Sequence, residues 1–405
     1  MTKSLSSNKC IIDGSNMVEI IDLGMHPYAD TFIPYERIHE SEPVFPLKCG
    51  LCSECGLVQL IHLTNPDSRY GMYDYSYTSS NSEYARAHWS SFADAAISSQ
   101  ESAVKVLEIG SNDGFLLGQF VSKGCEVLGF DSSEAMTKIA NDQGIPTING
   151  IFGLSEAEKL AAADSSFDLI LANNVLNHSN DPIDFLKGVE ILLTQKGRFI
   201  FEVPYWLCSI QSRNFDQIYH EHISYFTISS LSRIIEHTEL KIFDITLNEY
   251  HGGSLKVTLT NSNILEPPNW SHLIEAEQIA KLSDIETYRE FMEEVKNKRS
   301  RLLIKIHQIL LTESNASIVL AGAAAKANTF INFYRLDSTI VRCITDNSPY
   351  KVGKYTPLSR IPIVKDEELA TIENAYILIT AWNIRDLIMD QVLKINPDAK
   401  ELSYE

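Results

Sequence analysis

The densest proton chemistry in the chain lies in Phe215–Phe226, which reads FDQIYHEHISYF. Tyr219, His220, Glu221, His222 and Tyr225 all fall inside it. Imidazoles change charge near neutral pH, and a phenol or carboxyl can hold or pass a proton. Three readings stand at this point. The stretch can be a half-buried strand or loop edge with ordinary hydrogen-bonding histidines. It can bind a metal, because His220 and His222 alternate and share one face if extended. Or one histidine is a general base oriented by Glu221, with a tyrosine set to hydrogen-bond an oxyanion. The elements that carry the stretch must choose between them.

Upstream, the apolar run Val104–Ile109 is followed by Gly110-Ser111-Asn112-Asp113-Gly114 and then by the helical FLLGQF. Strand, glycine turn, helix is the opening of a doubly wound α/β sheet that binds a nucleotide-like ligand. The glycines let the backbone approach that ligand closely. Glu108 before the first glycine and Asp113 within the loop make it acidic. Such a loop suits a cationic sulfonium with an amino-acid tail better than a pyrophosphate, so the spacing favours S-adenosylmethionine over NAD. The next strand, Glu126–Phe130, ends in Asp131, which would take two ribose hydroxyls. A third strand, Phe167–Leu171, runs into Asn173 and Asn174, both within reach of the cofactor, and then His178, which reads equally as a helix-cap or surface histidine. A helix over Pro182–Leu193 and a strand over Arg198–Val203 then lead into FDQIYHEH. The stretch therefore lies beyond a carboxyl strand edge, the side on which doubly wound folds bind ligands. The β-type runs Lys241–Leu247 and Ser254–Leu259 read as an antiparallel hairpin closing the sheet, with His251 in the HGG turn between them.

Cys52-Ser53-Glu54-Cys55 is followed by Gly56, as in a zinc knuckle. Cys10 and Asp13, followed by Gly14, form a second and unusual half, C-x-x-D-G, with Cys49 as the other possible fourth ligand. The apolar runs between the knuckles are short and need such a staple. The Tyr- and Ser-rich connector RYGMYDYSYTSSNSEY, which holds Tyr75 and Tyr77, reads as either the lining of a polar site or a solvated linker.

Towards the C-terminus, Asp284 caps a long helix whose apolar stripe runs from Ile285 to Leu310. The βα pattern then restarts. Small residues Gly322–Ala325 at a strand-to-helix turn, with Lys326 next, suit a phosphate at a helix N-terminus. Later strands end in Asp346 and in Ala381-Trp382-Asn383, and Lys351 lies in a loop between. The pattern gives three units: a zinc-binding domain over 1–68, a methyltransferase domain over 69–265, and a second, Rossmann-like domain over 266–405.

Composition narrows the class. The chain has 405 residues, 34 basic and 53 acidic, for a net charge of -19. That balance argues against a sequence-independent nucleic-acid binder but allows a phosphorylated small molecule. Seven cysteines, four of them in the first 55 residues, read as metal ligands rather than as a disulfide framework. No apolar run approaches a membrane span, and the start MTKSLSSNKC lacks the apolar core of a leader, so a cytoplasmic protein is the expectation.

EIGSNDG, FDQIYHEH and HGG, in that order behind a C-x-x-C knuckle, resemble the C-methyltransferases of deoxysugar biosynthesis. The resemblance covers essentially the whole chain. It implies an S-adenosylmethionine-dependent enzyme acting at C-3 of a nucleotide-linked 4-keto-6-deoxy sugar, with structural zinc in the N-terminal domain. It further implies His222 as the base that forms an enolate, with Glu221 and Tyr219 in the same site, and a C-terminal domain that holds the nucleotide diphosphate. Tyr75, Tyr77, His178, His251, Lys326, Asp346, Lys351 and Asn383 are the expected substrate contacts. Members usually carry four cysteine ligands, and Asp13 departs from that pattern. An O- or N-methyltransferase, or an inactive donor-binding scaffold, are the alternatives.

Overall fold

The computed structural model describes residues 5–6, 8–66, 69, 78–80, 82–98, 104–262 and 270–403. Apolar residues spaced along the early chain build a small sheet. After β1 (Leu5–Ser6), the strands β2 (Met17–His26), β3 (Phe45–Cys52) and β4 (Val58–Leu60) pair antiparallel, and β5 (His62–Leu63) pairs with β1. Leu47, Cys49 and Leu51 on β3 and Val58 and Leu60 on β4 are buried. Tyr75 and Tyr77 lie outside the described residues.

Helix α1 (Glu83–Ser98) leads into the central layer. The alternation runs β6 (Lys105–Ile109), α2 (Phe115–Val121), β7 (Glu126–Asp131), α3 (Glu134–Asp142), β8 (Thr147–Asn149), α4 (Leu154–Ala162), β9 (Phe167–Asn173), α5 (Pro182–Leu192) and β10 (Leu193–Pro204). Continuous apolar runs such as FDLILA are buried on both faces, as parallel strands between helix layers must be. Local signals set the helix starts. Ser133 accepts the Met136 N–H, and Asp181 accepts the Asp184 N–H just ahead of Pro182 at the first turn. After α6 (Trp206–Gln211) the chain crosses to β11 (Ser224–Tyr225), then α7 (Ile228–Ile235), β12 (Lys241–Asn248) and β13 (Ser254–Thr260). Among the described residues the sheet order is β12-β13-β10-β9-β6-β7-β8, with β13 antiparallel to both β12 and β10 and the remaining pairings parallel. The strand order reverses between β6 and β9, which opens a crevice at their carboxyl ends.

Helices α8 (Ser271–Ile279) and α9 (Ile285–Thr312) precede the last layer. Asp284 caps α9 by accepting the Glu286 N–H at 3.0 Å, and Tyr288, Phe291, Val295 and Ile306 face the core. Leu310, in the expected buried stripe, is instead exposed. Strands β14 (Ser317–Ala321), β15 (Val341–Thr345), β16 (Ile363–Val364), β17 (Ala375–Ile379) and β18 (Lys400–Glu401) form a parallel sheet in the order β16-β15-β14-β17-β18. Helix α10 (Ala325–Tyr334) follows β14, and α11 (Arg385–Ile395) follows β17. No described helix is long and apolar enough to cross a membrane.

The sequence alone hides one feature of the 215–226 stretch: it belongs to all three layers. Strand β11 adds to the N-terminal sheet, with Ser224 opposite Gln59 and Tyr225 opposite Val58. Phe215 inserts against α10, its ring 5.0 Å from that of Phe333 and stacked on Tyr334. Thr329 of the same helix donates to the Ile218 carbonyl at 2.9 Å, and Asn328 donates to the Ala29 carbonyl. An aromatic buried this way typically stabilises by several kcal/mol, about 3–5 on truncation to alanine. Three packed surfaces therefore hold the turn between Phe215 and Tyr225.

Candidate active site

A cavity of about 310 Å³ opens at the carboxyl ends of β6, β7 and β9 and extends to the N-terminal end of α10. Two of its walls are built by residues between 69 and 265 and the third by residues after 266.

The central sheet supplies the first wall. Gly110 sits at φ +73°, and a Cβ there would stand 2.3 Å from Val175, so only glycine keeps this turn. Glu108 Oε2, Asn173 Nδ2 and Asn174 Oδ1 are buried at the cavity without a hydrogen-bond partner among the described residues. Such atoms call for ligand partners, since an unmet buried polar group costs about 1–3 kcal/mol. Asp131 receives the Ser133 and Asn112 N–H groups at 2.8 Å each, which fixes its carboxylate towards the cavity. An acid at the first strand end, an acid at the second and amides at the third fit the ammonium, ribose hydroxyls and polar edge of S-adenosylmethionine. Burial, with the nearby Asp113 and Asp131 charges, pushes the Glu108 carboxyl well above its usual range; a cationic ligand relieves that penalty.

Two expected donor contacts are placed elsewhere. Asp113 accepts the hydroxyls of Ser79 and Ser80, tying down the segment that enters α1. Gly114 packs towards Ala140 and Ile145 as the left-handed residue before α2. Asn112 lines the cavity, and its side chain accepts the Ser79 N–H at 2.9 Å.

The second wall is the FDQIYHEH turn. His222 Nδ1 lies 2.8 Å from the Gln217 carbonyl, which can only accept, so Nδ1 carries the proton. That leaves a lone pair on Nε2, which accepts the Tyr219 hydroxyl at 2.6 Å. Burial pulls the His222 imidazole down to about 3, opposed by the Gln217 hydrogen bond, so the ring is neutral at physiological pH. The His178 ring stands 5.1 Å away and is also held neutral by burial. Glu221 is buried at the same cavity, its carboxyl raised to about 7 by burial and by the charge of Asp30. His220 points the other way, its ring edge-on to Tyr28 and Phe45, and has no place in the cavity.

The C-terminal unit supplies the third wall. Lys326, on the first turn of α10, donates to Asn383 Oδ1, and Lys351 donates to the Ala323 carbonyl at 2.9 Å. Asp346 is turned away from the cavity: its carboxylate receives the Ala323 and Ser348 N–H groups at 2.9 and 2.8 Å and braces the glycine-alanine turn. Sequence reasoning passed over Trp382. Its indole N–H donates to buried Asp216 at 2.7 Å, the Lys326 ammonium lies 4.1 Å from its ring centre, and Gly252 abuts its face. The HGG turn closes the same corner, with the His251 carbonyl accepting from Gln217 Nε2 at 2.9 Å. A Gly252→Ala side chain would stand 2.3 Å from the Trp382 ring at a backbone φ of +83°. We expect that variant to unfold in denaturant with a loss of about 2–3 kcal/mol, against a near-neutral outcome if the contact were slack.

Apart from this cavity, Cys10, Asp13, Cys52 and Cys55 bring their donor atoms within 4.8 Å of one another. Cys10 Sγ and Cys55 Sγ are 3.5 Å apart, close to the roughly 3.8 Å edge of a tetrahedral zinc site. Three thiols and a carboxylate fit zinc, and Asp13 rather than Cys49 completes the set. Cys49 is buried in the N-terminal core beside Tyr225, and burial raises its thiol far above the ordinary range.

Carboxyl-edge acids at two strands, a glycine turn and an adjacent neutral imidazole fit the class I methyltransferase fold on a doubly wound sheet. Comparisons with known proteins carry this further. The family described as "Putative zinc binding domain" matches residues 10–70, "Methyltransferase domain" residues 82–244, and "C-methyltransferase C-terminal domain" residues 249–401. Across 388 residues the chain is 28% identical to C-methyltransferase NovU of Streptomyces niveus, over 95% of this chain and 91% of that protein. The match to ubiquinone biosynthesis O-methyltransferase of Cereibacter sphaeroides is 32% over 114 residues, covering 27% of this chain and 42% of that protein. Among solved structures, an S-adenosylmethionine-dependent methyltransferase from Clostridium acetobutylicum aligns at 16% identity and a TM-score of 0.36, over 45% of this chain and 93% of that one. With its three matched units in this order, the chain is similar to C-methyltransferases along nearly its whole length.

Proposed function

We propose that this chain methylates C-3 of a nucleotide-linked 4-keto-6-deoxy sugar. The observation that carries the reading is the tautomer of His222: its Nε2 lone pair faces a cavity shared by the donor wall and the basic C-terminal wall. A carbon–hydrogen bond is a poor nucleophile, and a C-4 ketone makes the C-3 proton removable by such a base. When bound, S-adenosylmethionine supplies an electrophilic methyl group on its sulfonium.

The chain's own residues do the rest. Glu108, Asn173, Asn174 and Asp131 hold the donor at the strand ends. Tyr219 occupies Nε2 in the free site, and on substrate entry its hydroxyl turns to a sugar oxygen and frees the lone pair. His222 then takes the C-3 proton on Nε2 while the Gln217 carbonyl steadies the resulting cation through Nδ1–H. His178 and His251, neutral by burial, add no charge to oppose it. Lys326, Lys351 and Asn383 meet the diphosphate. Zinc, held by Cys10, Asp13, Cys52 and Cys55, is structural and stands apart from the chemistry.

Incubating the protein and donor with a panel of 4-keto-6-deoxy nucleotide sugars tests the assignment. We expect one sugar to gain a methyl group bonded to C-3, located by carbon NMR. A methyl group found on oxygen or nitrogen contradicts it.

A further inference from the structure

One corner of the cavity is built around an indole. Trp382 opens the short turn Trp382–Ile384 after β17, and three neighbours from other elements fix its ring. Its Nε1–H donates to the Asp216 carboxylate at 2.7 Å. Gly252 of the HGG turn abuts one face, where a Cβ would stand 2.3 Å from the ring. The Lys326 ammonium lies 4.1 Å from the ring centre, and both Lys326 and Asp216 are buried. A lysine ends in a point charge on a flexible stem, with three N–H donors and no preferred direction of its own. Here Asn383 Oδ1 takes one donor and the indole attracts the charge. A further N–H is left for a ligand in the cavity that Lys326 lines.

We propose that Trp382 and Asp216 are positioning residues: the hydrogen-bonded indole presents the Lys326 ammonium to an anionic group of the substrate and ties that anion's place to the catalytic turn. This rests on the nucleotide-sugar reading above, in which the anion is the diphosphate. The diphosphate and C-3 belong to one sugar ring, so their separation is nearly constant. The anion holder and the base must keep a matching separation, since small misplacements are costly in rate. Adjacent residues do this. Asp216 holds the indole that holds Lys326, while the Gln217 carbonyl accepts from His222 Nδ1 and the Gln217 amide donates to the His251 carbonyl. One dipeptide therefore gives the cation and the base a common frame.

The surrounding charges suit the role. Burial pulls Lys326 down to about 8, and the Asp216 charge opposes that, so the side chain stays cationic at neutral pH. Burial raises Asp216 to about 6, opposed by Lys326 and by the indole N–H, so it stays anionic there. Asp216 does not line the cavity, which leaves the lysine's cavity side open to a second anion. His222 and His251, the imidazoles within its field, are neutral by burial, and Tyr334 beside Asp216 is a neutral phenol.

Inorganic pyrophosphate, titrated into the full chain and followed by phosphorus NMR, probes this without any sugar. We expect Trp382→Leu to weaken it about tenfold, and Trp382→Phe, which keeps a ring face, to weaken it less. A loosened corner could weaken binding too, so the double variant decides. Lys326→Met alone should cost about tenfold, and adding Trp382→Leu to it no more than about twofold further, because the indole then has no ammonium to hold. An additional loss of about tenfold in that background overturns the positioning role, as does unchanged affinity in both Trp382 variants. Calorimetric donor binding checks that each variant is folded, and the same cycle is run with Trp382→Phe if the leucine variant is not. The indole N–H signal of Trp382, identified by its absence in Trp382→Phe, reads the other half. It should lie downfield in the wild type and move upfield in Asp216→Ala; an unmoved signal overturns the role of Asp216. No saturable pyrophosphate binding by the wild type, with the indole signal responding to Asp216→Ala, instead overturns the diphosphate reading of this wall and the anion's part in the proposal, and leaves the hold of Asp216 on the indole established.

Discussion

His222→Asn lowers turnover by roughly a hundred- to ten-thousand-fold while donor affinity stays within about twofold. The expectation follows from what each atom does. Asparagine is close in size to the near half of the ring and can still donate from its amide to the Gln217 carbonyl, so the turn keeps its shape. It has no lone pair of useful basicity where Nε2 stood. The proposed donor contacts, Glu108 and Asp131, belong to β6 and β7 and do not rest on the ring. Rapid-quench turnover and calorimetric donor titration separate the two effects. Tyr219→Phe is the informative companion. Its hydroxyl accounts for the 2.6 Å bond to Nε2, so its loss leaves the base exposed to water but still present, and a smaller drop follows.

The second large effect is loss of the metal. Cys52 ends β3 and Cys55 lies in the turn before β4, and β4 pairs directly with β11 inside the catalytic stretch. Structural zinc supplies on the order of 10 kcal/mol to folds of this size, and the N-terminal strands bury too little to replace it. Cys55→Ser, or exhaustive chelation, is therefore expected to unfold the N-terminal sheet and release β11. Hydrogen exchange would show protection lost over β3, β4 and residues 218–226. Protection in β6 and β9, whose pairing stays within the central sheet, would remain. Turnover should vanish and donor binding survive. Full protection and full activity in metal-free protein would mean that the cluster is incidental.

The sequence carried much of this because the main signals are local. A parallel strand buried on both faces must be an apolar run, and a glycine turn after it is readable without knowledge of the rest. The caps Asp181 and Asp284 are short-range for the same reason. The C-x-x-C and C-x-x-D halves lie about forty residues apart, yet knuckle chemistry marks each one. What the sequence could not convey is which neighbours a side chain meets across units. Asp113 and Asp346 stand at strand-end positions where ligand contacts are common, and both turn to main-chain or serine donors instead. Asp30 sits in HPYADTF, which has no motif, and reaches the cavity only because α10 gathers two distant loops. The His222 tautomer is set by a main-chain carbonyl, which no side-chain pattern reports.

Three units meet in one cavity, but the account stands or falls on a neutral imidazole removing a proton from carbon. That step needs no methyl donor, so it can be observed alone. The protein is incubated in deuterated water with a 4-keto-6-deoxy nucleotide sugar and no S-adenosylmethionine, and the C-3 proton is followed by NMR. The account predicts enzyme-dependent loss of that signal, abolished in His222→Asn and retained in the donor-site variant Glu108→Gln. A sugar that is methylated in full turnover yet shows no C-3 exchange beyond the enzyme-free rate, or exchange that persists in His222→Asn, would contradict it.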